Sequence, residues 1–183
     1  MGSPARPKGS VYIATSLDGY IARADGSLDW LDHDSGGDDY GFAAFLDSVD
    51  TLVMGRTTFE QVLCFDQWPY GQRRFVVMSR TRQSFTVPDH VTATIQVSSA
   101  SPRELMVALG GAGARHVYVD GGQVIQAFLR EGLVDEITIS RLPVLLGDGI
   151  PLFGGLAADV ALKHVATQSF PSGVVQSKYR TAG

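Results

Sequence analysis

The chain has 183 residues, of which 44% are hydrophobic and 19% charged, and a formal net charge of -4. That length suits one domain with a substantial core, and without a basic stripe nucleic acid is not an expected partner. Apolar runs such as residues 142–146 fall far short of a membrane span, and the single cysteine, Cys64, excludes an intrachain disulfide and a Cys-cluster metal site.

Residues 1–9 are polar and rich in Pro and Gly, with no apolar signal core. They read as a disordered leader or tag remnant ahead of one domain over residues 10–183, and a cytoplasmic location is expected. Residues 11–15 are a compact, β-branched apolar run and predict the first strand. Residues 16–39 are rich in Asp and Gly and predict a long loop, a kind that is usually functional. Over residues 39–49, Phe42, Phe45, Leu46 and Val49 recur at helical spacing. A second strand over residues 51–54 runs straight into Gly55. Thr57-Thr58-Phe59-Glu60 has the form of a capping box, which predicts a short helix starting there. Residues 75–79 and 91–97 predict two more strands. Ser101-Pro102-Arg103-Glu104 is a second capping box with Pro at the first helical position, and Gly110-Gly111 ends that helix. Residues 116–119 predict a fifth strand. After Gly121-Gly122 comes a helix with Val124, Ile125, Phe128 and Leu129 on one face and Gly132 as its C-cap. Residues 136–142 predict a sixth strand, continued past Pro143 by residues 144–146, and residues 160–168 and 174–180 predict a hairpin across Pro171-Ser172-Gly173. Strands alternating with helices imply an α/β fold. Its three α/β/α layers surround a mixed, mostly parallel central sheet with an antiparallel C-terminal edge hairpin.

One local arrangement occurs twice. An apolar strand runs into glycine and a helix begins at once, at Val53-Met54-Gly55-Arg56-Thr57 and again at Val119-Asp120-Gly121-Gly122. Glycine lets a ligand approach the backbone, and the helix N-terminus offers unpaired amides that suit phosphate. Either turn alone is equally a plain strand-to-helix connection. Arg56 follows the first glycine, and Ser79-Arg80-Thr81-Arg82 ends the third strand at the same sheet edge. Such side chains pair with a terminal phosphate, as on the 2′ position of NADPH, although isolated surface arginines are commonly just solvated.

The segments Val11-Tyr12-Ile13-Ala14-Thr15-Ser16-Leu17-Asp18-Gly19-Tyr20-Ile21-Ala22, Val53-Met54-Gly55-Arg56-Thr57-Thr58-Phe59-Glu60, Val76-Val77-Met78-Ser79-Arg80 and Val119-Asp120-Gly121-Gly122 together resemble dihydrofolate reductase. They resemble still more closely the C-terminal reductase domain of riboflavin-biosynthesis bifunctional enzymes, as does Pro143-Val144-Leu145-Leu146-Gly147-Asp148-Gly149-Ile150-Pro151-Leu152-Phe153. The resemblance implies an NADPH-dependent reductase acting on a small heterocyclic substrate, either pterin-like or an aminouracil ribosyl phosphate. It implies that Ala14 and Ile21 flank the nicotinamide, with Val119 and Asp120 nearby. Gly55, Arg56, Thr57 and Thr58 would hold the pyrophosphate and the adenosine phosphate side, Ser79 and Arg80 the 2′-phosphate, and Gly121, Gly122, Gln123 and Val124 the pyrophosphate from the second helix. The loop over residues 18–30 would cover the active site, and a homodimer would be in keeping with the riboflavin-type relatives.

By the same resemblance Asp39, at the start of the first helix, is the catalytic and substrate-binding carboxylate, with Phe42 stacking on the substrate ring and Ser140 assisting. A carboxylate at that position is equally a helix cap, and Phe42 equally a core residue. Other readings fall away. Asp34-Ser35-Gly36-Gly37 is similar to a serine-protease nucleophile segment but has no triad partners. The acidic stretch over residues 32–39 fails the calcium-loop pattern, since position twelve is Ala43. His33, His90, His116 and His164 have no ligand spacing, so no metal is expected. Two functional classes remain, an NADPH-dependent reductase and a nucleotide-binding sensor without turnover.

Overall fold

The computed structural model describes residues 6–31 and 37–182. Both the Asp34-Ser35-Gly36 segment and most of the acidic stretch lie outside them, as do residues 1–5. Six strands form a parallel set: β1 (Lys8–Thr15), β3 (Thr51–Gly55), β4 (Arg74–Met78), β5 (Thr94–Ser98), β6 (His116–Asp120) and β7 (Glu136–Arg141). The hairpin of β9 (Leu162–Ser169) and β10 (Val175–Thr181) joins them antiparallel, giving the order β5-β4-β3-β6-β1-β7-β10-β9. Helices α1 (Phe42–Ser48) and α2 (Arg56–Val62) cover one face, and α3 (Pro102–Gly111) and α4 (Gly122–Arg130) the other. The fold is thus the expected three-layer α/β/α arrangement with a mixed, mostly parallel sheet.

Alternation along the strands builds both cores. Val53, Val117, Val119 and Ile137 pack with Leu105, Met106, Ile125 and Phe128 of α3 and α4. Leu52, Met54, Phe75, Val77 and Tyr118 pack with Leu46, Phe59 and Val62 of α1 and α2. A strand buried on both faces needs apolar residues at every position, which is why these strands read as continuous runs.

Several elements depart from the sequence reading. β1 begins at Lys8, inside the expected leader, because the Lys8 amide bonds the Arg115 carbonyl and the Arg6 guanidinium pairs with Asp135 at 2.8 Å. α1 starts at Phe42 rather than Asp39, since Tyr40 (φ 54°) and Gly41 (φ 84°) are both left-handed and cannot extend a helix backwards. α2 begins at Arg56 with Gly55 as N-cap and no side-chain cap, so the Thr57–Glu60 box does not form. The second box does form, with Ser101 and Glu104 exchanging both bonds. β5 starts only at Thr94, because the Val91 amide closes a turn onto the Pro88 carbonyl. Residues 144–146 do not prolong β7: Val144 accepts from the Leu17 amide, and the Leu146 amide goes to Asp18. The long loop holds a three-residue strand, β2 (Tyr20–Ala22), paired with β8 (Ile150–Pro151), and a 3₁₀ turn at Asp29–Leu31. Among the described residues no helix is long and apolar enough to cross a membrane.

Candidate active site

A cleft of about 820 Å³ runs across the carboxyl ends of β1, β6, β3, β4 and β5, the edge at which open α/β sheets bind ligands. Its floor is two glycine turns on neighbouring parallel strands. At the β6–α4 turn Gly121 has φ +87°, and a Cβ there would stand 2.4 Å from Thr58 Oγ1. At the β3–α2 turn a Cβ on Gly55 would meet Val124 at 3.2 Å. Each turn is therefore closed against the other by the absence of a side chain. Neither α2 nor α4 has a side-chain cap, so their first amides open onto the cleft. That pair of amide clusters fits a pyrophosphate.

The two ends of the cleft differ. Beyond β4 and β5 the lining is polar: Ser79, Arg80, Thr81, Ser98, Ser99 and Ser101. Arg56 belongs to this side, because its guanidinium lies 3.3 Å from Glu60, which Arg82 reaches from beyond β4 at 3.8 Å. Toward β1 the lining turns apolar, with Ile13, Ala14, Ile21 and Ile150. β2 holds Ile21 over the β6–α4 turn, where a Cβ on Gly122 would come 2.8 Å from Ile21 Cδ1. The long loop is fastened there by Asp18, whose carboxylate accepts from Ser16 Oγ (2.6 Å) and from the Leu146 (3.2 Å) and Gly147 (2.8 Å) amides. Those bonds, Ser16 first, hold the Asp18 carboxyl below its ordinary value.

Asp120, at the end of β6, is the cleft carboxyl with a raised affinity for protons. Burial pushes it up to about 6, against the 2.8 Å bond it accepts from the Gly121 amide. Tyr70 lines the cleft and packs on Trp68 and Phe75. Burial, and then the charge at Asp120, push its phenol well above the ordinary value, so it stays a hydrogen-bond donor.

The cleft thus gathers Ala14, Ile21, Gly55, Arg56, Thr57, Thr58, Ser79, Arg80, Asp120, Gly121, Gly122, Gln123 and Val124. Four expected site residues are elsewhere. Val119 is fully buried in the core under α3 and α4, because alternation turns it away from its neighbour Asp120. Asp39 is exposed and caps α1, accepting from the Gly41 (2.8 Å) and Ala43 (3.0 Å) amides, which hold its carboxyl low. Phe42 packs on Tyr12 with ring centroids 5.6 Å apart and on Tyr118 at 6.3 Å. Ser140 is buried and accepts from Gln176 Nε2 at 2.9 Å, in a network with the Tyr12 hydroxyl and the Tyr40 carbonyl. Sequence reasoning missed Tyr70 and the Ser98–Ser99 wall. Ser101 had been read as a cap alone, and nothing in the pattern around Tyr70 marks it.

Comparison with known proteins agrees with the fold. The family model described as the RibD C-terminal domain matches residues 7–176. The uncharacterized protein YwjB of Bacillus subtilis is 36% identical over 166 residues, covering 90% of this chain and 92% of YwjB. A solved structure from Shewanella sp. PV-4, of a protein assigned provisionally to riboflavin biosynthesis, is 38% identical with a TM-score of 0.87, covering 96% of this chain and 99% of that one. Dihydrofolate reductase from Enterococcus faecalis, solved with NADP(H), shares the fold at a TM-score of 0.65 and 18% identity, over 96% of this chain and 97% of its own.

Proposed function

Because this chain belongs to the RibD C-terminal domain family, we propose that it is an NADPH-dependent reductase of a small heterocyclic compound. One observation carries the reading. A single cleft holds two mutually packed glycine turns, an arginine–serine end and a carboxyl that binds protons near neutral pH. The residues fit a phosphorylated dinucleotide. The amides at the starts of α2 and α4 would take the pyrophosphate, Ser79 and Arg80 the 2′-phosphate, and Ala14 and Ile21 the faces of the nicotinamide. When bound, that cofactor supplies the hydride.

The chain's own contribution is placement, exclusion of water and a proton. Ile21 and Ile150 wall the cleft with apolar surface, and Asp18 keeps their loops together. Asp120, half-buried beside them, holds a proton on its carboxyl near pH 6, close to the value that general acid catalysis favours. We assign the proton to Asp120 rather than Asp39, whose carboxyl is exposed and held ionised by two amides. Titration with NADPH and with NADH tests the reading, followed by thermal stabilisation and by the fluorescence of Trp30, which shares an apolar cluster with Ala14. NADPH should bind at least roughly tenfold more tightly, as expected of a charge-paired phosphate. Equal affinity would remove Arg80 from cofactor selection, and no binding of either would overturn the proposal.

A further inference from the structure

Besides the residues that would hold the dinucleotide, the cleft's lining includes Leu28, Leu31, Val62, Phe65, Tyr70 and Asp120, which we group as one compartment because Tyr70 stands close enough to Asp120 to feel its charge. We propose that this compartment takes a flat, uncharged ring compound without a phosphate or carboxylate tail; the inference rests on the NADPH reading above.

Charge carries the argument. The cleft's lining contains two basic side chains, Arg56 and Arg80. Both lie on the β4 side, and Arg56 is turned there by Glu60. In the strand order β4-β3-β6, β4 stands two strand spacings, roughly 10 Å, from Asp120 on β6. Arg23, at the end of the covering loop, is held by Asp29 at 2.6 Å. The two open helix N-termini are the pyrophosphate cradle. Among the described residues, nothing cationic is left for a second anion.

The charged group that does face the compartment is Asp120. A phosphate or carboxylate tail brought there would lose its water and gain no partner, and it would meet like charge whenever Asp120 is ionised. A neutral ring meets the opposite conditions. Leu28, Leu31, Val62 and Phe65 offer apolar contact, and Phe65 offers an aromatic face. Two polar groups give orientation. The Tyr70 hydroxyl has no hydrogen-bond partner among the described residues, and the Asp120 carboxyl carries or accepts a proton. The Gln61 amide is already committed, donating to the Gly26 carbonyl at 2.6 Å. Few polar groups in an apolar setting describe a site that selects by shape and one or two hydrogen bonds.

The test uses the whole protein saturated with NADP+, after the NADPH titration has decided the cofactor reading separately. Matched pairs are titrated calorimetrically: a dihydropterin against its tailed folate, and an aminouracil base against its ribosyl phosphate. The untailed ring of one pair should bind at least as tightly as its tailed partner, with little dependence on salt. Y70F should weaken that ring about fivefold relative to NADPH, the loss of one hydrogen bond. Binding of NADPH together with at least tenfold preference for the tailed member would overturn this inference and leave the reductase reading standing. So would unchanged ring affinity in Y70F, or failure of every ring to bind.

Discussion

Replacing Asp120 with Asn removes an ionisable group but keeps its shape and the bond that Oδ1 accepts from the Gly121 amide at 2.8 Å. Burial raises the wild-type carboxyl from 3.8 to about 6. The folded protein therefore binds this proton more tightly than the unfolded chain does. Wild-type stability must fall as pH rises through that window, and the loss is complete above about pH 6. A gap of about two pH units, at about 1.4 kcal/mol per unit, corresponds to about 3 kcal/mol. Contact with solvent in the cleft reduces this to about 2 kcal/mol. Urea unfolding of D120N and wild type should then coincide near pH 4, with the variant about 2 kcal/mol more stable at pH 8. Turnover should move the other way and fall roughly a hundredfold or more, the usual worth of a positioned general acid. A variant more stable yet less active would be the mark of a strained site group. Parallel stability profiles from pH 4 to pH 8 would refute the burial argument, and full turnover in D120N would refute the proton assignment.

Gly121→Ala places a Cβ 2.4 Å from Thr58 Oγ1 at a φ of +87°. It should cost about 2 kcal/mol or more of stability and abolish stabilisation by NADPH, both read by thermal melting. At Glu136, burial pushes the carboxyl up, but hydrogen bonds from Lys8 and Arg180 and the charge of Lys178 outweigh it and hold the group at about 2. Its contribution is thus present above the ordinary 4.5 and lost as pH falls toward about 2. E136Q should lose about 2 kcal/mol at pH 7, allowing for its partly exposed cations, and nothing near pH 2, as measured by denaturant melts. D39A should lower the melting temperature through the lost α1 cap yet keep turnover per folded molecule. A selective loss of turnover would return Asp39 to the site.

What the sequence made legible was set by how locally each feature is determined. Residues 52–54 and 117–119 are buried on both faces, so they read as short, β-branched apolar runs bounded by turn residues, the pattern of buried strands. The Ser101–Glu104 box is closed by residues three apart and forms as written. The Thr57–Glu60 box has the same letters and does not form. β3 enters α2 through Gly55, the helix starts two residues sooner, with Gly55 rather than Thr57 as N-cap, and Arg56 and Arg82 claim Glu60. Asp39 carried two readings, and the structure shows the cap: helical spacing cannot show that Tyr40 and Gly41 turn left-handed and leave its carboxylate exposed on the Gly41 and Ala43 amides. β2 and β8 are too short to carry a period, and they exist through each other. Tyr70 lies in irregular chain between α2 and β4, and its place depends on ring contacts with Trp68 and Phe75. The glycine turns needed less: a strand, a glycine and a helix start are adjacent in sequence, and the parallel pairing of β3 with β6 alone brings the two together.

The strand order also arranges the cleft's charge. β4 and β5 carry Arg80 and the serines on one side, while β6 sets Asp120 toward the middle of the sheet. In the proposed reading, an anionic dinucleotide would be drawn to the first region and kept from reversing by the second, so its orientation would follow from topology before any close contact forms. When bound, the cofactor would supply the hydride, and Asp120 would supply the proton from its own carboxyl. Ionised after that transfer, its carboxylate would sit in a partly desolvated space, where attraction for a positive charge is worth more than in water. A carboxyl held near neutrality by burial is therefore suited to both roles, proton donor before transfer and counter-ion after it. Asp39, held ionised at a helix cap, would serve neither.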